Sequence, residues 1–228
     1  MPATAFSKPT EKIPPQQLAR LIGTPVLSLL IIVTVAWLVR PLVTGALASS
    51  AVSNSDVTLL HWFRSHATTL VDGVFVFIAL LGAPGTLAVI AVIGAVVLYR
   101  RRLWTVLTVW LEAFAGSSLL SVGIKHIYAR PRPAGATEFL HGTSFSFPST
   151  HALTSMVAFS TIAYTLGILH EDSSRWKRTI AIGAPLLIAA IGLSRLYLGV
   201  HYLSDVVAGF VIGVVWATVC IVTLHRYK

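Results

Sequence analysis

Six long apolar runs constrain this 228-residue chain more than any other feature. They lie near residues 21–43, 84–99, 103–124, 149–169, 179–198 and 202–224. A helix rises 1.5 Å per residue, so about 20 apolar residues cross a ~30 Å hydrocarbon layer. Six such spans use roughly 120 positions and leave room for a tail and short connections only. Hydrophobic residues make up 55% of the chain and charged residues 11%, which excludes a sizeable soluble domain, a disordered chain and a coiled coil. The single cysteine, Cys220, allows no intramolecular disulfide. The expected fold is all-α: a polytopic membrane protein with six transmembrane helices. Residues 1–20 read as a cytoplasmic tail and 21–228 as one integral membrane domain.

The formal net charge of +9 invites a nucleic-acid reading, but its distribution argues otherwise. Lys8, Lys12 and Arg20 precede the first run, and Arg100, Arg101 and Arg102 follow the second. Arg175, Lys177 and Arg178 precede the fifth, and Arg226 and Lys228 close the chain. Alternating spans put these eleven of the 17 basic residues on one side, which the positive-inside rule makes cytoplasmic. The expectation is a multi-pass protein of the cell (inner) membrane with both termini cytoplasmic and no nucleic-acid partner. The first run is too long, and too far from the start, for a cleavable signal peptide.

Between the first two runs the pattern is mixed. Leu59, Leu60, Trp62 and Phe63 make an apolar stripe, with Asp56, Arg64 and His66 expected to face water. This predicts an interfacial helix on the outer face. A short half-inserted helix follows, broken at Gly82-Ala83-Pro84-Gly85.

Six basic residues remain on the translocated side: Arg40, Arg64, Lys125, Arg130, Arg132 and Arg195. Positive charge there runs against the topology rule and asks for a functional reason. Four of them fall within KHIYARPRP (125–133) and SRLYLGVHYLSD (194–205), and FPSTH (147–151) lies between. Lys125, Arg132 and Arg195 are cations suited to phosphate oxygens. His201 and Asp205, at i and i+4, share one helical face. The carboxylate can hold one ring N–H and leave the other nitrogen as a nucleophile. Ser149 and His151 stand at a helix start, where amides and a hydroxyl bind anions, and a second histidine can act as general acid. Taken singly, a boundary cation is ordinarily a snorkelling anchor and a helix-end histidine a solvated tip. Three cations, two histidines and a carboxylate on one face are not explained that way.

These residues resemble the type-2 phosphatidic acid phosphatase superfamily. Lys125, six intervening residues and Arg132-Pro133 look like its first signature, and Pro148-Ser149-Thr150-His151 like its second. Ser194-Arg195, five residues, His201, three residues and Asp205 match its third. The resemblance covers about residue 55 to the C-terminus, and the flanking text is most like small bacterial membrane phosphatases acting on phosphatidylglycerol phosphate and undecaprenyl pyrophosphate. It implies catalysis by His201, His151 and Asp205. His201 would form a phosphohistidine, Asp205 would orient it, and His151 would protonate the leaving group and then activate water. Lys125, Arg132, Ser149, Thr150 and Arg195 would bind phosphate, with no metal and no cofactor. Thr150 departs from the usual glycine; it can still donate its N–H if its φ is negative, and its hydroxyl adds a further ligand.

The implied function is hydrolysis of a phosphorylated membrane lipid at the extracytoplasmic face. Phosphatidylglycerol phosphate, phosphatidic acid and undecaprenyl pyrophosphate all qualify. A lipid phosphotransferase would use the same residues. A phospholipid transporter would spread its charges through the spans. Elsewhere, Glu112 reads as a structural polar residue within a span, Asp72 and Arg64 as a surface pair, and Gly209 and Gly213 as a helix-packing face. Trp104 and Trp176 read as interfacial anchors.

Overall fold

The computed structural model describes residues 14–134, 145–169 and 174–227, and these are entirely helical apart from turns and short loops. In chain order the helices are α1 (Pro15–Leu38), α2 (Arg40–Ala48), α3 (Ser50–Ser65), α4 (Thr69–Leu81), α5 (Pro84–Arg100), α6 (Trp104–Tyr128), α7 (Thr150–Leu169), α8 (Ser174–Tyr197) and α9 (Leu203–Tyr227). Five of them (α1, α6, α7, α8 and α9) are individually long and apolar enough to cross a membrane. The pair α4–α5 is long and apolar enough only when taken together, and it is bent by 41° where Pro84 opens α5. Proline there lacks only an N–H that a first turn leaves unbonded anyway. Against the six predicted spans, the described residues give five, or six when the bent pair counts as one.

Away from the site, the sequence expectation differs from the structure in three places. The first run breaks at Val39, so Arg40 begins a separate short helix whose Pro41 sits in its first turn. Residues 15–20, read as part of the tail, already belong to α1. Asp72 does not pair with Arg64; it accepts a hydrogen bond from Tyr197 Oη at 2.9 Å, which ties α4 to the end of α8. Phe75 stacks on the same ring at 4.1 Å. Lys8, Lys12 and Lys228 lie outside the described residues, and for Trp176 and Lys177 only the helical backbone is described.

The core lies between α6, α7 and α9. Trp110, Leu120, Ile124, Leu153, Val157, Trp216 and Leu224 are buried there. Helices that pack in lipid gain no hydrophobic driving force against one another, so close backbone approach matters more. Gly209 and Gly213 supply it. A Cβ at Gly209 would stand 2.7 Å from the Ser149 carbonyl oxygen, and one at Gly213 2.8 Å from Met156 Cβ. The predicted packing face therefore meets α7. Leu30, Trp37, Val92, Leu119, Leu186 and Val211 point outward, as a lipid-facing shell should.

The helix directions sort the charges. Lys125, Arg195 and Asp205 lie at one end of α6, α8 and α9, and Arg102, Arg178 and Arg226 at the other. α3 lies across the first end and packs on α8 and α9.

Candidate active site

α6 ends because Ala129 adopts a left-handed conformation (φ 47°), its N–H bonding back to the Lys125 carbonyl at 2.8 Å. The chain then turns across the bundle end. Ser146 N–H donates to the Arg130 carbonyl at 2.8 Å, and Ser146 Oγ to the Pro131 carbonyl at 2.9 Å. Lys125 Nζ donates to the Phe145 carbonyl, and Arg132 Nη2 reaches the same oxygen at 3.3 Å. The first two signatures are thereby stitched together where α7 begins. The third joins them through a backbone bond from Ser149 N–H to the Asp205 carbonyl, 3.0 Å.

His201 is buried in the short loop before α9. Its Nδ1 lies 3.4 Å from Asp205 Oδ2, an ion-pair separation somewhat longer than a formed hydrogen bond. Its Nε2 lies 3.2 Å from Arg132 Nη1, which also donates to the Val200 carbonyl at 2.9 Å. Lys125, Ser149, Arg195 and Asp205 are buried too. Lys125 and Arg132 meet at the Phe145 carbonyl, and Arg195 is near enough for its charge to act on both. Burial holds Arg132 below the ordinary guanidinium value, and Asp205 partly offsets this. It stays charged at neutral pH.

Ser149 Oγ is buried without a hydrogen-bond partner among the described residues. Thr150 has no positive φ, so its N–H keeps the ordinary helix-start direction. Its hydroxyl shares a 2.8 Å hydrogen bond with Ser121 Oγ on α6. His151 follows, half-buried, in the first turn of α7. Each of the eight expected site residues thus belongs to the same end of the bundle. Among the described residues no three His, Cys, Asp or Glu side chains group as a metal site.

Two residues escaped the sequence reading. Asp56 was expected to face water and is instead 2% exposed. It accepts from Arg130 Nη2 at 3.0 Å, from Ser204 N–H at 2.9 Å and from Ser204 Oγ at 2.5 Å. Arg130 Nη1 donates to Asp205 Oδ1 at 2.6 Å. Burial alone would lower the Arg130 guanidinium, but Asp205 and Asp56 raise it above its ordinary value. One signal was available: Arg130 stood on the translocated side with no role, and Asp56 was the acid nearest that face without a partner.

A groove of about 520 Å³ opens beside this site between α5 and α6. Lys125 and Thr150 border one end, and Val92 and Phe114 line it deeper. Eleven residues separate Phe114 from Lys125, so it follows about 16 Å of helix.

Such a fold and site define a multi-span membrane protein with an imidazole, a carboxylate and several cations gathered at one bundle end. The PAP2 superfamily model matches residues 102–228. Phosphatidylglycerophosphatase B of Bacillus subtilis is 33% identical over 178 residues, covering 75% of this chain and 84% of the relative. Decaprenylphosphoryl-5-phosphoribose phosphatase of Mycobacterium tuberculosis is 35% identical over 134 residues, 55% of this chain and 64% of the relative. The crystal structure of the transmembrane PAP2 type phosphatidylglycerolphosphate phosphatase from Bacillus subtilis superposes with a TM-score of 0.75. It does so at 29% identity over 90% of this chain and 98% of that one. This chain belongs to the PAP2 superfamily and is a membrane lipid phosphatase. Asp56 lies outside the matched segment.

Proposed function

We propose that this enzyme cleaves a phosphomonoester or pyrophosphate of a membrane lipid through a phosphohistidine, without a metal ion. Two steps account for it. The Nε2 lone pair of His201 attacks phosphorus, the bond to the leaving oxygen breaks, and His151 gives that oxygen a proton. Water then attacks the phosphohistidine while His151 takes its proton; the P–N bond breaks and inorganic phosphate leaves. Asp205 supports the charge on the imidazole. Lys125, Arg132, Arg195, Ser149 and the Thr150 N–H hold the non-bridging oxygens, where transition-state charge resides.

The observation that carries this reading is the position of His201, with Asp205 on one ring nitrogen and the Arg132 guanidinium 3.2 Å from the other. Buried Lys125 and Arg195, with half-buried Arg130 and Arg132, outnumber Asp56 and Asp205, and such an excess of partly desolvated positive charge suits an anion. The groove alongside suits a lipid whose tail stays in the bilayer. Phosphatidylglycerol phosphate is the first substrate to test, followed by phosphatidic acid and undecaprenyl pyrophosphate. With basic residues clustered at the opposite bundle end, the site faces the extracytoplasmic side of the cell membrane and both termini are cytoplasmic.

Purified enzyme, acid-quenched during turnover of a ³²P-labelled lipid, tests the intermediate. Label should sit on the protein and vanish in His201→Ala. Turnover should persist in EDTA and be inhibited by orthovanadate, which imitates the five-coordinate transition state. Activity abolished by chelator and restored by magnesium would overturn the metal-free reading.

A further inference from the structure

Asp205 is fully buried and faces His201 through one oxygen, Oδ2, which also accepts the Tyr202 N–H at 3.0 Å. Its other oxygen, Oδ1, is held by Arg130 alone among the described contacts. A carboxylate taken out of water keeps its charge only when a cation and hydrogen bonds replace the water. Arg130 is that cation. Its guanidinium is fixed in turn: Nη2 on Asp56, Nη1 also on Ser204 Oγ at 2.8 Å, and the plane 4.3 Å from the Tyr202 ring centroid. Asp56 reaches across from α3 and accepts the N–H of Ser204, in the first turn of α9 and directly before Asp205. One acid thus fixes both the arginine and the backbone that carries the catalytic carboxylate.

We propose that Arg130 and Asp56 are positioning residues for catalysis, forming a chain Asp56–Arg130–Asp205–His201 that sets the orientation and charge of the histidine's partner. This rests on the assignment of His201 and Asp205 made above. Both guanidinium nitrogens that bond are taken by protein oxygens, and Arg130 meets the Asp205 oxygen that His201 does not. Arg130 therefore acts on the imidazole through Asp205, whereas Lys125 and Arg132 act on the phosphate. The amphipathic helix α3 is then part of the catalytic apparatus: it holds Asp56 at one point and, two turns on, lays Arg64 against Gly199. Gly199 adopts φ +67°, a conformation that a side chain would strain.

The test is steady-state kinetics of the full-length enzyme in detergent micelles with phosphatidic acid and with p-nitrophenyl phosphate. Arg130→Gln and Asp56→Asn should each lower kcat roughly 10–100-fold and leave KM within about threefold of wild type. Arg130→Lys should recover part of that loss, because an ammonium can still meet Oδ1. In an Asp205→Asn background, Arg130→Gln should cost less than about threefold more, since the charge it serves is already gone. Asp56→Asn keeps an acceptor for the Ser204 N–H, so a folded protein is expected, and retained orthovanadate inhibition of residual activity would verify an intact phosphate site. A tenfold rise in KM with unchanged kcat in Arg130→Gln would make Arg130 a phosphate ligand and overturn the proposal. Equal losses from Arg130→Gln with and without Asp205 would overturn it as well. Wild-type turnover by Asp205→Asn would sink the parent mechanism along with it, and so tells the two failures apart.

Discussion

Thr150 stands at the start of α7, beside Ser149 and His151. Its N–H keeps a helical direction, and its hydroxyl is spent on Ser121 rather than left for the phosphate. Thr150→Gly should therefore keep turnover of p-nitrophenyl phosphate within a few-fold while lowering stability by about 1–2 kcal/mol, from a lost hydrogen bond and a glycine in a first turn. Complete loss of turnover would instead make the hydroxyl a phosphate ligand. The two histidines separate by leaving group. His151→Ala should cost roughly 10²–10⁴-fold on a lipid phosphate, where a poorly acidic alcohol must be protonated. On p-nitrophenyl phosphate the same variant should still form phosphoenzyme, which accumulates because water activation is slowed. His201→Ala should form none on either substrate; if it did while His151→Ala did not, the roles would be exchanged.

Among the elements, α7 and α9 depend most on one another. A side chain at Gly209 would collide with the Ser149 carbonyl, whose own N–H meets Asp205. Gly209→Val should destabilise by about 1–3 kcal/mol or more and should lower activity too, measured by thermal unfolding in detergent and by phosphate release. Gly183 on α8 has open space around it, so Gly183→Ala should leave both within error of wild type. The glycine spacing and the third signature were readable because they lie within one stretch of chain, where helical period turns sequence distance into spatial distance. Asp56 was not. Its partners are 74 and 148 residues away, and an acid on an amphipathic helix looks the same whether it faces water or a buried arginine. The α4–α5 bend was legible as a Gly/Pro break, while the anchoring of α4 by Tyr197 was not, again because it joins distant segments. Glu112 is a further case. Both its carboxyl oxygens are buried without a hydrogen-bond partner among the described residues. It lies 13 residues, about 20 Å of helix, from Lys125, so Glu112→Gln should preserve kcat and not reduce stability.

For the molecule as a whole, the separation of charge between the two bundle ends predicts the topology. Cysteine introduced at Gly142 should react with an impermeant thiol reagent applied to intact cells, and cysteine at Ser173 only after lysis. The native Cys220 is buried and should contribute little background. The reverse pattern would turn the site to the cytoplasm. The all-helical multi-span fold was visible from apolar runs because lipid demands them; the groove was not, because it arises from packing between α5 and α6. One feature of the site reaches beyond catalysis. The chain leaves at Pro131 and Arg132 and returns at Phe145 and Ser146, and the two strands of that neck are bonded to each other at three points. Whatever is inserted between them inherits a fixed base, and lengthening a closed loop adds only a slowly growing entropy. The neck is thus a self-contained clamp: a tag or binding peptide grafted between residues 132 and 145 should leave phosphate release within a few-fold of wild type.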